Sequence, residues 1–123
     1  MIKPRWANCA ALVHNRFIIV VGGFLTLVVD PETEAPILTT QVSHCECYDT
    51  KADTWFEIDS IPPITTTHMS IVSFDDRYVF VLPSRKDTNY TFHRMDSGSE
   101  LEYSTSNKAK LAIASKKWTS LKV

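Results

Sequence analysis

The sequence predicts an all-β chain made of two repeated sheet units. Three observations carry this. Apolar runs rich in β-branched and aromatic residues are bounded by turn-forming clusters. Two such sets run in step at an offset of about sixty residues. No stretch holds a convincing amphipathic helical period. Arg16-Phe17-Ile18-Ile19-Val20-Val21 returns as Arg77-Tyr78-Val79-Phe80-Val81-Leu82, and Trp55-Phe56-Glu57-Ile58 returns as Trp118-Thr119-Ser120-Leu121. A period of this size marks an array of sheets, each too small to bury a core by itself.

The elements follow in chain order. Cys9–Val13 and Phe17–Val21 are apolar runs separated by His14-Asn15-Arg16, which reads as a hairpin feeding a buried strand. Gly22-Gly23 ends that strand with a bend or bulge, because glycine accepts positive φ and close backbone approach. Phe24–Val29 continues in β-favouring residues, and Asp30–Pro36 is a loop by composition. Val42–Tyr48 alternates, with Val42, His44, Glu46 and Tyr48 on one face and Ser43, Cys45 and Cys47 on the other. After the polar turn Asp49–Asp53, Trp55–Ile58 forms a fourth strand, which Ile61-Pro62-Pro63 breaks. The second unit repeats the plan with Met69–Phe74, the turn Asp75-Asp76-Arg77 and Tyr78–Leu82. A polar stretch from Pro83 to Glu100 follows, then strands near Leu111–Ala114 and Trp118–Val123; Lys108–Ala114 has the alternative of a short helical turn.

At 123 residues the chain is at most one domain, and 44% hydrophobic residues is ordinary for a packed protein. A formal charge of -1 removes a general electrostatic case for nucleic acid or an anionic membrane. The charge is uneven. Between Asp30 and Asp59 the acids, Glu32, Glu34 and Glu57 among them, are opposed only by Lys51; after Tyr103 the charges are lysines alone. That asymmetry suits either the orientation of neighbouring units or charged sheet edges that resist aggregation. No span has the roughly twenty apolar residues of a transmembrane helix, so no membrane insertion is expected. The N-terminal stretch lacks the pattern of a signal peptide, and three cysteines fit a reducing compartment better than a disulfide framework. The expected location is cytoplasmic.

The residues of the first unit resemble kelch repeats, in which each unit is a four-stranded blade of a β-propeller. Pro4-Arg5, the apolar strand ending in Gly22-Gly23, Tyr48-Asp49 and Trp55 match that motif in order. The Gly23–Tyr48 interval is lengthened by an insertion around Asp30–Thr40. The second unit is degenerate: Thr66 stands where arginine is expected and Pro83-Ser84 replaces the double glycine. Its Tyr-Asp position falls at Leu111-Ala112 if Trp118 is aligned, or at Tyr103-Ser104 if a longer turn is allowed. The resemblance implies a single kelch-like region over residues 1–123, with one blade at about 4–61 and the other at about 64–123. Its motif-bearing structural residues are Arg5, Gly22, Gly23, Tyr48, Asp49, Trp55 and Trp118. The residues alone leave open a small sandwich or barrel with two core tryptophans. Two blades cannot close a propeller, which takes four to eight. The expectation is therefore an incomplete propeller, completed by further blades, by other copies of the chain or by a protein partner.

Chemistry-bearing patterns are sparse. His44-Cys45-Glu46-Cys47 places its cysteines on one strand face and His44 and Glu46 on the other, so the four cannot converge on one metal ion. No Gly-rich phosphate loop or dinucleotide fingerprint is present, and His14, His68 and His93 lie in separate segments. Asp75-Asp76 reads as a pair of turn formers. The kelch resemblance extends to propeller enzymes, including copper-radical oxidases and sugar epimerases, but nothing here matches the oxidase ligands. No catalytic residue, metal or cofactor is expected. Loops carried on rigid blades commonly bind, which makes Glu32 and Glu34 in the first insertion candidate partner contacts. Tyr90, Phe92, His93 and Arg94 in the Arg85–Glu100 segment are the others, either as a hot-spot loop or as a core strand. The expected function is a non-catalytic protein–protein interaction module or scaffold. The alternatives are a structural subunit buried in a complex and a fragment of a propeller enzyme.

Overall fold

The two short hairpin turns set the geometry. In the first, His14 and Asn15 have φ of 54° and 50°; in the second, Asp75 and Asp76 have φ of 55° and 52°. Two successive left-handed residues give a turn whose twist matches that of the flanking strands, and Asn and Asp tolerate that region better than most residues. Arg16 N–H donates to the Val13 carbonyl at 3.1 Å and Arg77 N–H to the Phe74 carbonyl at 3.1 Å, closing the turns identically.

The computed structural model describes residues 2, 5, 8–23, 27–38, 44–61, 69–83, 91–98 and 106–122. Its elements are β1 (Cys9–Val13), β2 (Phe17–Val21), β3 (Leu27–Val29), β4 (Pro36–Leu38), β5 (Cys45–Asp49), β6 (Thr54–Ile58), β7 (Met69–Phe74), β8 (Tyr78–Pro83), β9 (Thr91–Asp96), α1 (Ser106–Ala114) and β10 (Trp118–Lys122). They form two antiparallel four-stranded sheets, ordered β1-β2-β5-β6 and β7-β8-β9-β10, plus the two-stranded hairpin β3-β4. Each large sheet is an up-and-down meander. The hairpin interrupts the first between its second and third strands, and α1 interrupts the second between its third and fourth. Among the described residues the protein is all-β apart from that one short helix, and neither large sheet closes on itself.

Three sequence expectations need correction. Leu111–Ala114 is helical, not a strand, and α1 ends with Ser115 and Lys116 N–H groups donating to the Leu111 and Ile113 carbonyls. Ala109 and Ile113, one helical turn apart, are buried while Leu111 is exposed, so the helical turn offered as the alternative for Lys108–Ala114 is the one the chain adopts. The polar stretch from Pro83 to Glu100 contains an internal strand, β9, whose alternation buries His93 and Met95. The Asp30–Pro36 loop is the tip of the hairpin, closed by Asp30 N–H to the Ala35 carbonyl and Glu34 N–H to the Asp30 carbonyl, and Pro36 already belongs to β4. Phe24, Thr39, Thr40, Val42, Ser43 and Thr66 lie outside the described residues.

The core lies between the large sheets. Val13, Phe17, Ile19, Val21, Cys45, Cys47, Phe56 and Ile58 share one face of the first sheet, and Val79, Val81 and Met95 share a face of the second. These join one buried cluster, with Met69, Ile71 and Trp118 packed against it. The edge strand β1 lies against β7 and β8, and α1 packs against β6. Phe17 and Phe56 meet edge-to-face at 6.3 Å, and the Lys110 ammonium lies over the Phe56 ring.

Candidate interaction site

The polar feature common to both large sheets is an arginine–aspartate clamp at one end. Arg16 follows the first turn, and register sets Phe17 opposite Asp49. The Arg16 guanidinium donates two bonds of 2.7 Å to the two Asp49 carboxylate oxygens, a planar fork on a planar acceptor. Asp49 also accepts from the Lys51 and Ala52 N–H groups, so it fixes the turn into β6. Both residues are buried. These bonds hold the Asp49 carboxyl below the usual carboxylate range, with the Arg16 hydrogen bonds as the main cause.

The second sheet repeats this clamp. Arg77 donates to the two Asp96 oxygens at 2.7 and 2.8 Å, and Asp96 accepts from the Gly98 N–H. Thr50 sends its N–H and hydroxyl to the Arg16 carbonyl, and Ser97 sends the same pair to the Arg77 carbonyl. Arg16 lies over the Phe17 ring and Arg77 over the Tyr78 ring. The Tyr48-Asp49 position of the second unit is therefore Met95-Asp96, not Leu111-Ala112 or Tyr103-Ser104. Sequence reasoning missed Asp96 because it counted back from Trp118 across what is now seen to be a helical insertion. The available signal was local: Arg before an aromatic after a turn, answered by Asp before Thr or Ser.

The clamps fix which faces correspond. Phe17, Ile19 and Val21 match Tyr78, Phe80 and Leu82; Ile18 and Val20 match Val79 and Val81. The first sheet turns the first set inward, and the second sheet answers with residues of the second set. Two non-equivalent faces meet head-to-tail, which leaves one face of each kind outward.

The other motif residues consolidate this stack. The buried Arg5 donates to the Gly22 carbonyl at 3.2 Å, the His44 carbonyl at 2.7 Å and Glu46 at 2.5 Å. Glu46 is thereby buried rather than solvated, and it also accepts from the Ile2 N–H. Gly22 and Gly23 have φ of 71° and 97°, and a Cβ on Gly22 would lie 2.6 Å from the Met69 Sδ and Cε atoms of the other sheet. Trp118 bridges the sheets by donating its indole N–H to the Asp59 carbonyl and its backbone N–H to the Asp59 carboxylate, each at 2.8 Å. Trp55, its counterpart, meets Tyr48 in a tilted ring contact at 4.9 Å, and the Tyr48 hydroxyl donates to Asp53. Pro4 lies outside the described residues.

Two histidine–serine pairs deserve chemical scrutiny. His14 Nε2 lies 2.7 Å from Ser97 Oγ, and His93 Nδ1 lies 3.0 Å from Ser120 Oγ. The Ser97 hydroxyl is buried and donates to the Arg77 carbonyl, so His14 serves it as a donor and not as a base. The pair is a cross-link between the sheets. Burial lowers the affinity of both histidines for a proton, partly offset at His14 by Asp76. Burial also pushes the Cys9 and Cys45 thiols up to about 11 and about 12, and Cys47 higher still, which suppresses the reactive thiolate. Among the described residues, no three His, Cys, Asp or Glu side chains gather as a metal site, and no helix is long and apolar enough to cross a membrane.

The candidate contact residues separate. Glu32 and Glu34 are exposed at the hairpin tip. His93 is buried on the inter-sheet face, so it is not a loop contact, while Phe92 and Arg94 lie on the outward face of the second sheet. Tyr90 lies outside the described residues. Phe92 meets Phe80 at 6.3 Å, and beside them Val72 is 49% and Phe74 64% exposed. No family model matches the chain, and no curated protein matches it significantly.

Proposed function

We propose that the two sheets are successive blades of a kelch-type β-propeller and that the chain is a non-catalytic protein-interaction module within a larger assembly. The observation that carries this is the head-to-tail contact between two sheets with the same Arg–Asp clamp. A propeller is generated when the inward face of each blade meets the opposite face of the next. The propeller reading also accounts for the motif residues: Gly22 admits Met69 from the neighbouring sheet, and Trp118 spans the sheet boundary. Binding would be by surface complementarity, with the acidic tip bearing Glu32 and Glu34 as the first contact. A structural subunit is a second reading, favoured by the outward apolar residues Leu12, Val72 and Phe74, which ask for cover.

The test replaces the 31–35 tip with a two-residue Asn-Gly turn and compares the proteins that co-purify with parent and variant chains. The reading expects an unchanged melting temperature with loss of a partner retained by the parent. An identical set of bound proteins would contradict a binding role for the tip.

A further inference from the structure

We infer that the Tyr48–Trp55 pair on the outward face of the first sheet is a docking site for an arginine side chain of a protein partner. This rests on the interaction-module reading and states what the partner brings to this face. Strand register sets two rows of side chains there: Leu12, Ile18, Tyr48 and Trp55 in one, Ala10, Val20, Glu46 and Glu57 in the other. The chain itself covers the middle of the second row. The Ile2 N–H and the Arg5 guanidinium both donate to Glu46, and Val20 beside it is buried. On the edge strand β6 that cover ends: Glu57 is exposed, and Trp55 and Tyr48 are only half-buried.

Elsewhere the molecule supplies its own cation to an aromatic ring. Arg16 lies over Phe17, Arg77 over Tyr78 and Lys110 over Phe56, whereas among the described residues no cation lies over Tyr48 or Trp55. Their planes are inclined at 44°, and a carboxylate flanks the pair on either side. Asp53 accepts the Tyr48 hydroxyl, and Glu57 is the next outward residue after Trp55 on β6. Neither acid makes an ion pair among the described residues, while Glu46 is paired with Arg5, Asp49 with Arg16 and Asp59 with Lys117. Lys51, in the same turn as Asp53, lines instead the notch beside His14, Asn15, Arg16 and Thr50. An aromatic face attracts a cation, an indole most strongly. Two rings flanked by unopposed carboxylates therefore call for a positive group, and the geometry selects its type. A guanidinium is planar, so it stacks on a ring while the N–H groups of its edge reach a carboxylate. An ammonium is a strongly hydrated point charge and does the first less well.

The experiment titrates the full chain with N-acetyl-arginine amide and follows the indole protons of Trp55 and Trp118 by NMR. The amide of N-acetyl-citrulline, an uncharged isostere, and that of N-acetyl-lysine are run in parallel. Arginine is expected to give a saturable shift at Trp55, lysine a weaker one and citrulline none. The Trp118 proton, bonded to the Asp59 carbonyl, should stay in place. Asp53→Asn and Glu57→Gln are both at exposed positions and conserve shape, so the double variant keeps the fold. Each substitution is expected to weaken arginine binding by about two- to fivefold. No saturable shift at Trp55, an equal response to citrulline, a stronger one to lysine, or unchanged affinity in the double variant would overturn the proposal. The 31–35 tip replacement separates the two levels. A chain blind to arginine whose bound partner still depends on the tip loses this site alone. One whose bound proteins are the same without the tip loses the binding role of the tip, whatever its response to arginine.

Discussion

The two sheets contain one clamp in two environments. Arg16 and Asp49 are 5% and 1% exposed at their side chains, whereas Arg77 and Asp96 are 35% and 42% exposed. The bonding pattern is the same, yet the consequences differ. A buried pair that loses one partner leaves an uncompensated charge in a low-dielectric interior, while a half-exposed pair returns to water. Identical geometry thus specifies the conformation of both turns, but only the first clamp makes removal of one partner severely costly.

The largest expected effect follows from that contrast. Arg16→Ala is expected to cost about 3–5 kcal/mol, since it strands the Asp49 carboxylate. Arg77→Ala should move a urea midpoint far less; equal shifts would erase the distinction between the clamps. Next comes Gly22→Ala, expected to cost about 1–3 kcal/mol through strain at positive φ and collision with Met69. Met69→Ala in the same chain should recover the steric part and leave the backbone part. Strictly additive costs in that cycle would mean that the two side chains do not meet.

Acid should expose the comparison in solution. The Asp49 and Asp96 carboxyls are both held below their ordinary value of 3.8, Asp96 at about 2, mainly by the arginine bonds. A depressed folded pKa gives stability that is complete above the unfolded value and lost as pH falls through the folded one. His14 and His93 add an earlier loss. Burial lowers their pKa, so the unfolded chain takes up more protons as pH falls through 6.5, and stability declines there too. Melting temperature should fall first around pH 6 and again between about pH 4 and 2. His93→Gln should diminish the first step and leave the second, and a first step unchanged by it would remove His93 from the account. The smallest effect is expected of Trp118→Phe, which keeps the ring and loses one indole bond to Asp59, at about 1 kcal/mol.

Much of this fold was legible because strand period and turn chemistry are local. Cys9–Val13, Phe17–Val21 and Met69–Phe74 stand in the structure at the bounds the sequence set. Thr91–Asp96 was legible only as one of two alternatives, a contact loop or a core strand, since its outward positions carry Phe92 and Arg94 and its inward set includes a histidine. Asp96 was hidden by unequal spacing: arginine and aspartate are 33 residues apart in the first clamp and 19 in the second. A hairpin lengthens one and not the other, while α1 lengthens the later path to Trp118. Arg5 was legible as a motif residue, but nothing in its local sequence pairs it with Glu46, 41 residues on. Long-range ion pairs of that kind depend on which segments meet, and no local pattern encodes them.

The central claim is that the first sheet's inward face meets the opposite face of the second. The most direct test is the set of nuclear Overhauser effects from the Met69 methyl group and the Trp118 indole proton. The stacked arrangement predicts effects from Met69 to Gly22 and from the Trp118 indole proton to the Asp59–Ser60 backbone. Effects linking the inward residues of the first sheet to Phe80 or Phe92 would place the other face inward and contradict it.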